Sequence, residues 1–225
     1  MSELFSIQLQ NRQQQGRDGV WLDLPTTTEQ VQAALRQIGI SSDNPQGLFI
    51  SGYFAEEEKR FAIPYNMVLA SNVDELNFLA ARLETLSAGE RAELNAALQA
   101  PQSELFSIGR ITDFPENVDY YVHLPDVHGP AQLGDYYLNR SGMVDMPEEW
   151  KGGIDTAQFG RYVAQQEQGV FTEYGYLVKS GDAWQKVHEG QPVPEEYRVL
   201  SFPAPEVLRD AANIPPPVQP ETEPQ

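Results

Sequence analysis

The sequence predicts an α+β fold of three small modules in series, followed by a disordered, Pro-rich C-terminal tail. Three observations carry that expectation. Short strand-like runs and capped helical stripes follow one another along the 225 residues, each too brief to bury its own apolar face. Apolar residues make up 40% of the chain, with ten Tyr, ten Phe and three Trp, which is enough for real cores. Prolines then crowd the last stretch, where few apolar side chains remain to be buried. The expected boundaries are an N-terminal α+β module over residues 1–70 and a helical module over 71–104. A C-terminal α+β module with dimer contacts over 105–202 and a tail over 203–225 complete the chain.

The first module reads as a β-β-α-β unit. Residues 4–9 (Leu-Phe-Ser-Ile-Gln-Leu) and Val20 to Leu24 are strand-like, and Pro25 closes the second. Thr26 with Glu29 three residues on predicts a capping box for a helix carrying Val31, Ala34, Leu35 and Ile38 on one face. Gly39 is its stop, and Leu48 to Phe54 is a third strand. In the second module Ser71 or Asn72 caps a helix with a Leu76, Leu79, Ala80, Leu83 and Leu86 stripe. Ser87 with Glu90 caps the next helix, which ends before Pro101.

The third module reads as mixed. Val118 to His123 alternates as a strand does, and Ala131 to Asn139 predicts a helix ended near Gly142. Pro147 opens a helical turn, and Asp155 caps a helix to about Gln165. Gly169 to Val178 is a strand or hairpin arm, with two further strands expected at Trp184 to Val187 and Tyr197 to Phe202. The hexamer Ser-Glu-Leu-Phe-Ser-Ile stands at residues 2–7 and again at 103–108, but its flanks do not align, so no repeated domain follows.

Composition removes several function classes. The absence of cysteine excludes disulfides, thiol catalysis and Cys-ligated metal sites. No apolar run approaches the roughly 18 residues of a membrane span, and no signal peptide precedes the fold, so the expected compartment is the cytoplasm. No P-loop, Gly-x-Ser-x-Gly elbow, His-Glu-x-x-His or dinucleotide fingerprint is present. His123, Asp126 and His128 have the nearest to a metal-ligand spacing, on a loop where two ordinary histidines are the plainer reading. Carboxylate pairs such as Glu148 with Glu149, or Asp74 with Glu75, arise freely in so acidic a chain and do not by themselves point to a glycosidase. No catalytic residue, metal or cofactor is therefore expected.

Charge is the feature left over. With 33 acids against 15 bases the formal net charge is −18, which repels nucleic acid and anionic membranes and favours basic partners. Residues 105–178 carry 11 acids against 4 bases amid tyrosines and apolar residues, so these charges belong to folded structure rather than an acidic tail. Duplex DNA bears one charge per about 1.7 Å of axis, so 18 net charges match roughly 30 Å of duplex. Such a surface suits a basic DNA-binding groove, although acidity serving solubility alone has the same composition.

Local motifs decide between those readings. Trp21-Leu22-Asp23-Leu24-Pro25, Val73-Asp74-Glu75-Leu76-Asn77 and Tyr136-Tyr137-Leu138 with Gly142 follow one another, then Ile154-Asp155 with Phe159-Gly160-Arg161, then Gly169-Val170-Phe171. In this order they resemble the ArdA family of antirestriction proteins over about residues 4–178. The resemblance implies an elongated homodimer joined through the third module, a surface imitating bent duplex DNA, and no catalysis or cofactor. It also implies a target, the DNA-binding cleft of a type I restriction–modification enzyme. The carboxylates standing in for phosphates would be Asp113, Glu116, Asp119, Asp126, Asp135, Asp145, Glu148, Glu149, Asp155, Glu167 and Glu173. Asp74, Glu75, Glu56, Glu57 and Glu58 would extend the same surface. Asp155 doubles as a helix cap, and Phe159, Tyr162 and Phe171 are core or dimer-contact residues.

Two departures from the family pattern are visible. Asn139 and Arg140 stand where acids are expected, and Ile50-Ser51-Gly52-Tyr53 lacks the acids often found on that strand. Two alternatives remain open: inhibition of another nucleic-acid-binding defence protein such as a CRISPR effector, or a small metal-binding hydrolase around His123, Asp126 and His128.

Overall fold

The computed structural model describes residues 4–14, 18–41, 47–56, 61–101 and 103–200, and mixes helices with two small antiparallel sheets as the α+β expectation requires. The first sheet joins β1 (Phe5–Asn11), β2 (Val20–Leu24) and β3 (Leu48–Phe54) in the order β2-β1-β3. Period-two alternation turns Phe5, Ile7 and Leu9 inward and leaves Ser6, Gln8 and Gln10 on the outer face. Helix α1 (Thr28–Gln37) covers the inner face with Val31, Ala34 and Leu35. Val31 and Leu35 each contribute about 1.5–3 kcal/mol by leaving water.

The α1 cap sits one residue later than the Thr26–Glu29 spacing predicts. Thr27 accepts from the Gln30 amide, and the Gln30 side chain accepts from the Thr27 N–H at 3.1 Å. Thr26 is instead buried, donating its N–H to Asn77 Oδ1 at 2.7 Å. A tertiary partner 51 residues away outweighs the local cap.

Helices α2 (Tyr65–Leu69), α3 (Val73–Glu84) and α4 (Ala88–Gln99) follow. Asn72 with Glu75 and Ser87 with Glu90 form complete capping boxes, so both starts are fixed locally. Val73, Leu76, Leu79, Ala80 and Leu83 are buried together. One hydrophobic cluster runs from Leu4 through this stripe to Leu105, Ile111, Phe114 and Tyr121, drawing on all three segments.

The third segment begins with α5 (Ile108–Thr112) and two 3-10 turns, Phe114–Glu116 and Val118–Tyr120. The second of these occupies the start of the strand expected at 118, because Tyr120 N–H bonds the Asn117 carbonyl and the extended chain begins only afterwards. The second sheet joins β4 (Tyr121–Leu124), β5 (Val170–Thr172) and β6 (Gly175–Lys179) in the order β4-β6-β5. Helix α6 (Pro130–Asp135) passes into a π-helical turn over Tyr136–Arg140 and stops before Gly142 at φ +70°. The short α7 (Glu148–Lys151) precedes α8 (Thr156–Glu167), which Asp155 caps by accepting from the Gln158 N–H at 2.9 Å.

Helices α6 and α8 cross backbone to backbone. A Cβ on Gly160 would stand 1.8 Å from the Pro130 carbonyl oxygen, and one on Gly134 would stand 1.9 Å from that of Thr156. Only glycine fits at either position.

Residues 180–200 hold no strand, contrary to the two expected there. They form an irregular strap with one 3-10 turn, Glu195–Tyr197, and their backbone amides pair with side chains instead of a sheet. Asn117 exchanges two hydrogen bonds with Gln185 (2.7 and 3.0 Å). Asp113 accepts from the amides of Val187, His188 and Glu189 at 3.2, 2.6 and 3.2 Å. Further on, Asn77 donates to the Tyr197 carbonyl, and Asp74 Oδ1 accepts from both Val199 and Leu200 at 2.8 and 2.7 Å. Phe202 and the expected tail lie outside the described residues.

Candidate functional site

The acids expected to face a partner divide into three groups once their neighbours are known. Asp119, Asp126, Asp145, Glu149, Asp155 and Glu173 are exposed on the third segment, and no Lys or Arg among the described residues pairs with them. Asp155 also caps α8, and Glu173 bonds Gln99. Glu56 is exposed at the end of the first sheet, while Glu57 and Glu58 lie outside the described residues.

A second group is shared with a base, Glu148 exposed and Glu116 and Asp135 partly buried. Glu148 pairs with Lys151 at 2.6 Å, and Glu116 pairs with Arg82. Asp135 accepts from Asn139 at 2.8 Å and Arg140 at 2.9 Å, and those bonds hold its carboxyl below the usual range. The two residues that depart from the family pattern thus also screen the acid one turn before them.

The third group is structural. Asp113 is wholly buried beneath the strap and leaves the solvent-facing set: its carboxylate is spent on three backbone amides. Asp74 is likewise committed to the strap, and Glu75 to the α3 cap. Glu167 accepts from both Tyr137 and Tyr176, tying α8 to the π turn and to β6. Burial, with that carboxylate as acceptor, pushes both phenols upward.

Several bases are engaged by neighbouring side chains. Arg110 is buried between Glu104 and Glu189, each at 3.0 Å, and Lys179 reaches Glu104 at 2.9 Å. Arg12 and Arg91 lie over the rings of Phe49 and Phe61.

Of the aromatic residues, Tyr162 is 60% exposed on α8, while Phe159 is half-buried and Phe171 packs on Tyr176 in the small core of Val127, Leu133 and Tyr176. Met143 and Trp150, 75% and 66% exposed, widen the apolar surface around the loop before α8.

Among the described residues no cluster of His, Asp and Glu is arranged to hold a metal ion. His123 turns its Nε2 to the Tyr174 carbonyl at 2.7 Å, away from any such role. A cleft of about 660 Å³ lies between α3, α5 and the strap, lined by Phe78, Phe106, Ile108 and His188. No helix among the described residues is long and apolar enough to cross a membrane.

This acidic surface carries signature segments in fixed structural places, and a family model described as Antirestriction protein (ArdA) matches residues 15–178. The chain belongs to the ArdA family of antirestriction proteins. Among curated proteins none matches it. The ArdA signature can now be read physically. Gly160 permits the α6–α8 crossing, and Gly169 lies so close under Tyr176 that a Cβ would meet the phenol oxygen at 1.9 Å. Tyr137 of the Tyr-Tyr pair anchors Glu167, and Asp155 caps α8.

Sequence reasoning missed Glu93, half-buried on α4 with Oε1 lacking any hydrogen-bond partner. Burial, with Glu90 and Asp119 nearby, pushes its carboxyl up to about 8. Its position between Ala92 and Leu94 gave no local sign of this.

Proposed function

We propose that this antirestriction protein is a DNA mimic, a non-enzymatic inhibitor that occupies the DNA-binding cleft of a type I restriction–modification enzyme. The observation that supports it is the exposed set Asp119, Asp126, Asp145, Glu149, Asp155 and Glu173, carried on the turns, loops and helix ends of the folded third segment with no Lys or Arg paired to them among the described residues. Their place on folded structure matters because a carboxylate held near its docking position loses less entropy than one on a mobile tail. Binding energy is spread over many contacts of about 0.2–1 kcal/mol each, so no single acid is essential. DNA itself is repelled.

The working form is a homodimer joined through the third segment, where Tyr162, Trp150 and Met143 present apolar surface to solvent. Because the main core draws on all three segments, the dimer is best tested in the full chain. Tyr162→Asp with Trp150→Asp should give a monomer by light scattering; an unchanged dimer would remove these residues from the interface.

The mimic reading is tested by titrating inhibition of the restriction enzyme against salt. Inhibition should weaken steadily as salt rises, because the target regains counterions as it does on losing DNA. The combined change Asp145→Asn, Glu148→Gln, Glu149→Gln should cost about 1–2 kcal/mol of binding, five- to thirtyfold in the inhibition constant. A salt-independent constant, or complete loss from one carboxylate change, contradicts mimicry. A pull-down retaining a different nucleic-acid-binding protein and no restriction subunit contradicts the target.

A further inference from the structure

The outer face of the first sheet carries an aromatic platform that packing does not require. Trp21 on β2 faces Gln8 on β1, which in turn faces Gly52 on β3. With no side chain at Gly52, the indole reaches across the central strand until its far edge lies 3.1 Å from where a Cβ would stand. Phe54 meets it edge-on at 6.5 Å between centroids and 75° between planes. In the neighbouring row Asp23, Ser6 and Phe54 stand side by side, and Ser6 Oγ donates to Asp23 Oδ1 at 2.6 Å, fixing the carboxylate beside the rings. Trp21 and Phe54 nevertheless remain 50% and 58% exposed.

A flat ring held against a sheet presents its face to planar groups. Nucleobases are disfavoured by the −18 net charge, which repels the phosphates that accompany them. A guanidinium matches on both counts: it is planar and stacks on indole, and its N–H fork pairs with a carboxylate such as Asp23. The same chemistry recurs within the chain, where Arg110 lies over Phe106 and Trp184. Among the described residues no cation lies over Trp21.

We infer that Trp21, Phe54 and Asp23 form a docking site for an arginine side chain on a basic protein partner, with the guanidinium stacked on the indole and paired to Asp23. This rests on the mimic reading, which supplies an arginine-bearing cleft, and it adds a contact that phosphate imitation by carboxylates lacks. Lysine, a compact and strongly hydrated charge, gains less from the ring.

The probes are hexa-arginine and hexa-lysine peptides titrated into the full chain by calorimetry. The wild type should prefer hexa-arginine by a ratio about two- to fivefold larger than that of Trp21→Leu, with hexa-lysine affinity changing less between them. Trp21→Tyr, which keeps a π face, should retain most of the preference, and Asp23→Asn should weaken hexa-arginine more than hexa-lysine. The indole N–H resonance missing from the Trp21→Leu NMR spectrum should shift on adding hexa-arginine. An equal preference in wild type and Trp21→Leu, or an indole resonance that stays still at saturation, overturns the inference. Mimicry fails separately, through salt-independent inhibition of the restriction enzyme.

Discussion

Asp113 and Asp119 offer a matched pair of charges with opposite environments. Changing either to Asn removes one negative charge from the same segment, yet the two changes should have different consequences. Asp113 is 0% exposed and accepts three strap amides, the shortest at 2.6 Å. A hydrogen bond to a charged acceptor is worth about 1.5–3 kcal/mol net, and the two longer contacts contribute less. Asn keeps one acceptor oxygen but turns an N–H₂ group toward amides that can only donate. The expected loss is about 2–4 kcal/mol, or roughly 5–15 °C in Tm for a chain of this size. Asp119→Asn should stay within about 0.5 kcal/mol of wild type, as surface changes usually do. Thermal denaturation followed by circular dichroism measures both. Well below the transition, Asp113→Asn should inhibit as well as wild type, since its charge never reaches a partner. An Asp113→Asn melting temperature within about 1 °C of wild type would refute the clamp.

Other expectations follow the same geometry. Glu93 has its folded pKa raised to about 8 from 4.5, so the folded state holds a proton that the unfolded state releases first. Stability should therefore fall as pH rises from about 4.5 to 8, and Glu93→Gln should raise Tm at pH 8 while matching wild type near pH 4.5. An equal Tm at both pH values would contradict the burial argument. Gly160→Ala should cost about 1–3 kcal/mol or more in denaturant titration, because a backbone carbonyl 1.8 Å away cannot rotate aside. Unchanged stability would mean that α6 and α8 separate freely. Removing residues 203–225 should leave inhibition of the restriction enzyme intact; loss of activity in a chain ending at Phe202 would place the tail at the target.

Elements governed by near neighbours were legible in the sequence. The Asn72–Glu75 and Ser87–Glu90 boxes and the Asp155 cap each involve residues within three positions, so spacing alone finds them. Where long-range partners intervene, the local signal gives way. Thr26 looks like a cap as much as Thr27 does, until Asn77 claims its amide. The repeated hexamer makes the same point: its residues 5–7 lie in β1, whereas in the second copy Phe106 is exposed and Ser107 caps α5. Asp113 read as a surface acid because its partners lie 74 to 76 residues away. The Trp184 to Val187 run is rich enough in apolar residues to suggest a strand, but Asn117 and Asp113 take its backbone groups before a sheet does. Glu167 was expected at the surface because neither tyrosine that holds it is adjacent in sequence.

The strap has a consequence for where this protein can be cut. The family match ends at residue 178, which invites a recombinant boundary at the end of the second sheet. Such a boundary would strand Asp113 and Asn117 without their backbone partners and strip Val199 from the core cluster. It would also bare Phe78, whose ring now rests against His188 and Tyr197. Expression trials stopped at residue 178 should yield insoluble material, and those extended to residue 200 should not. At its C-terminal end the stretch shared with relatives stops some twenty residues short of the stretch that folds with it, and a shared ancestry traced by alignment marks only the shorter of them.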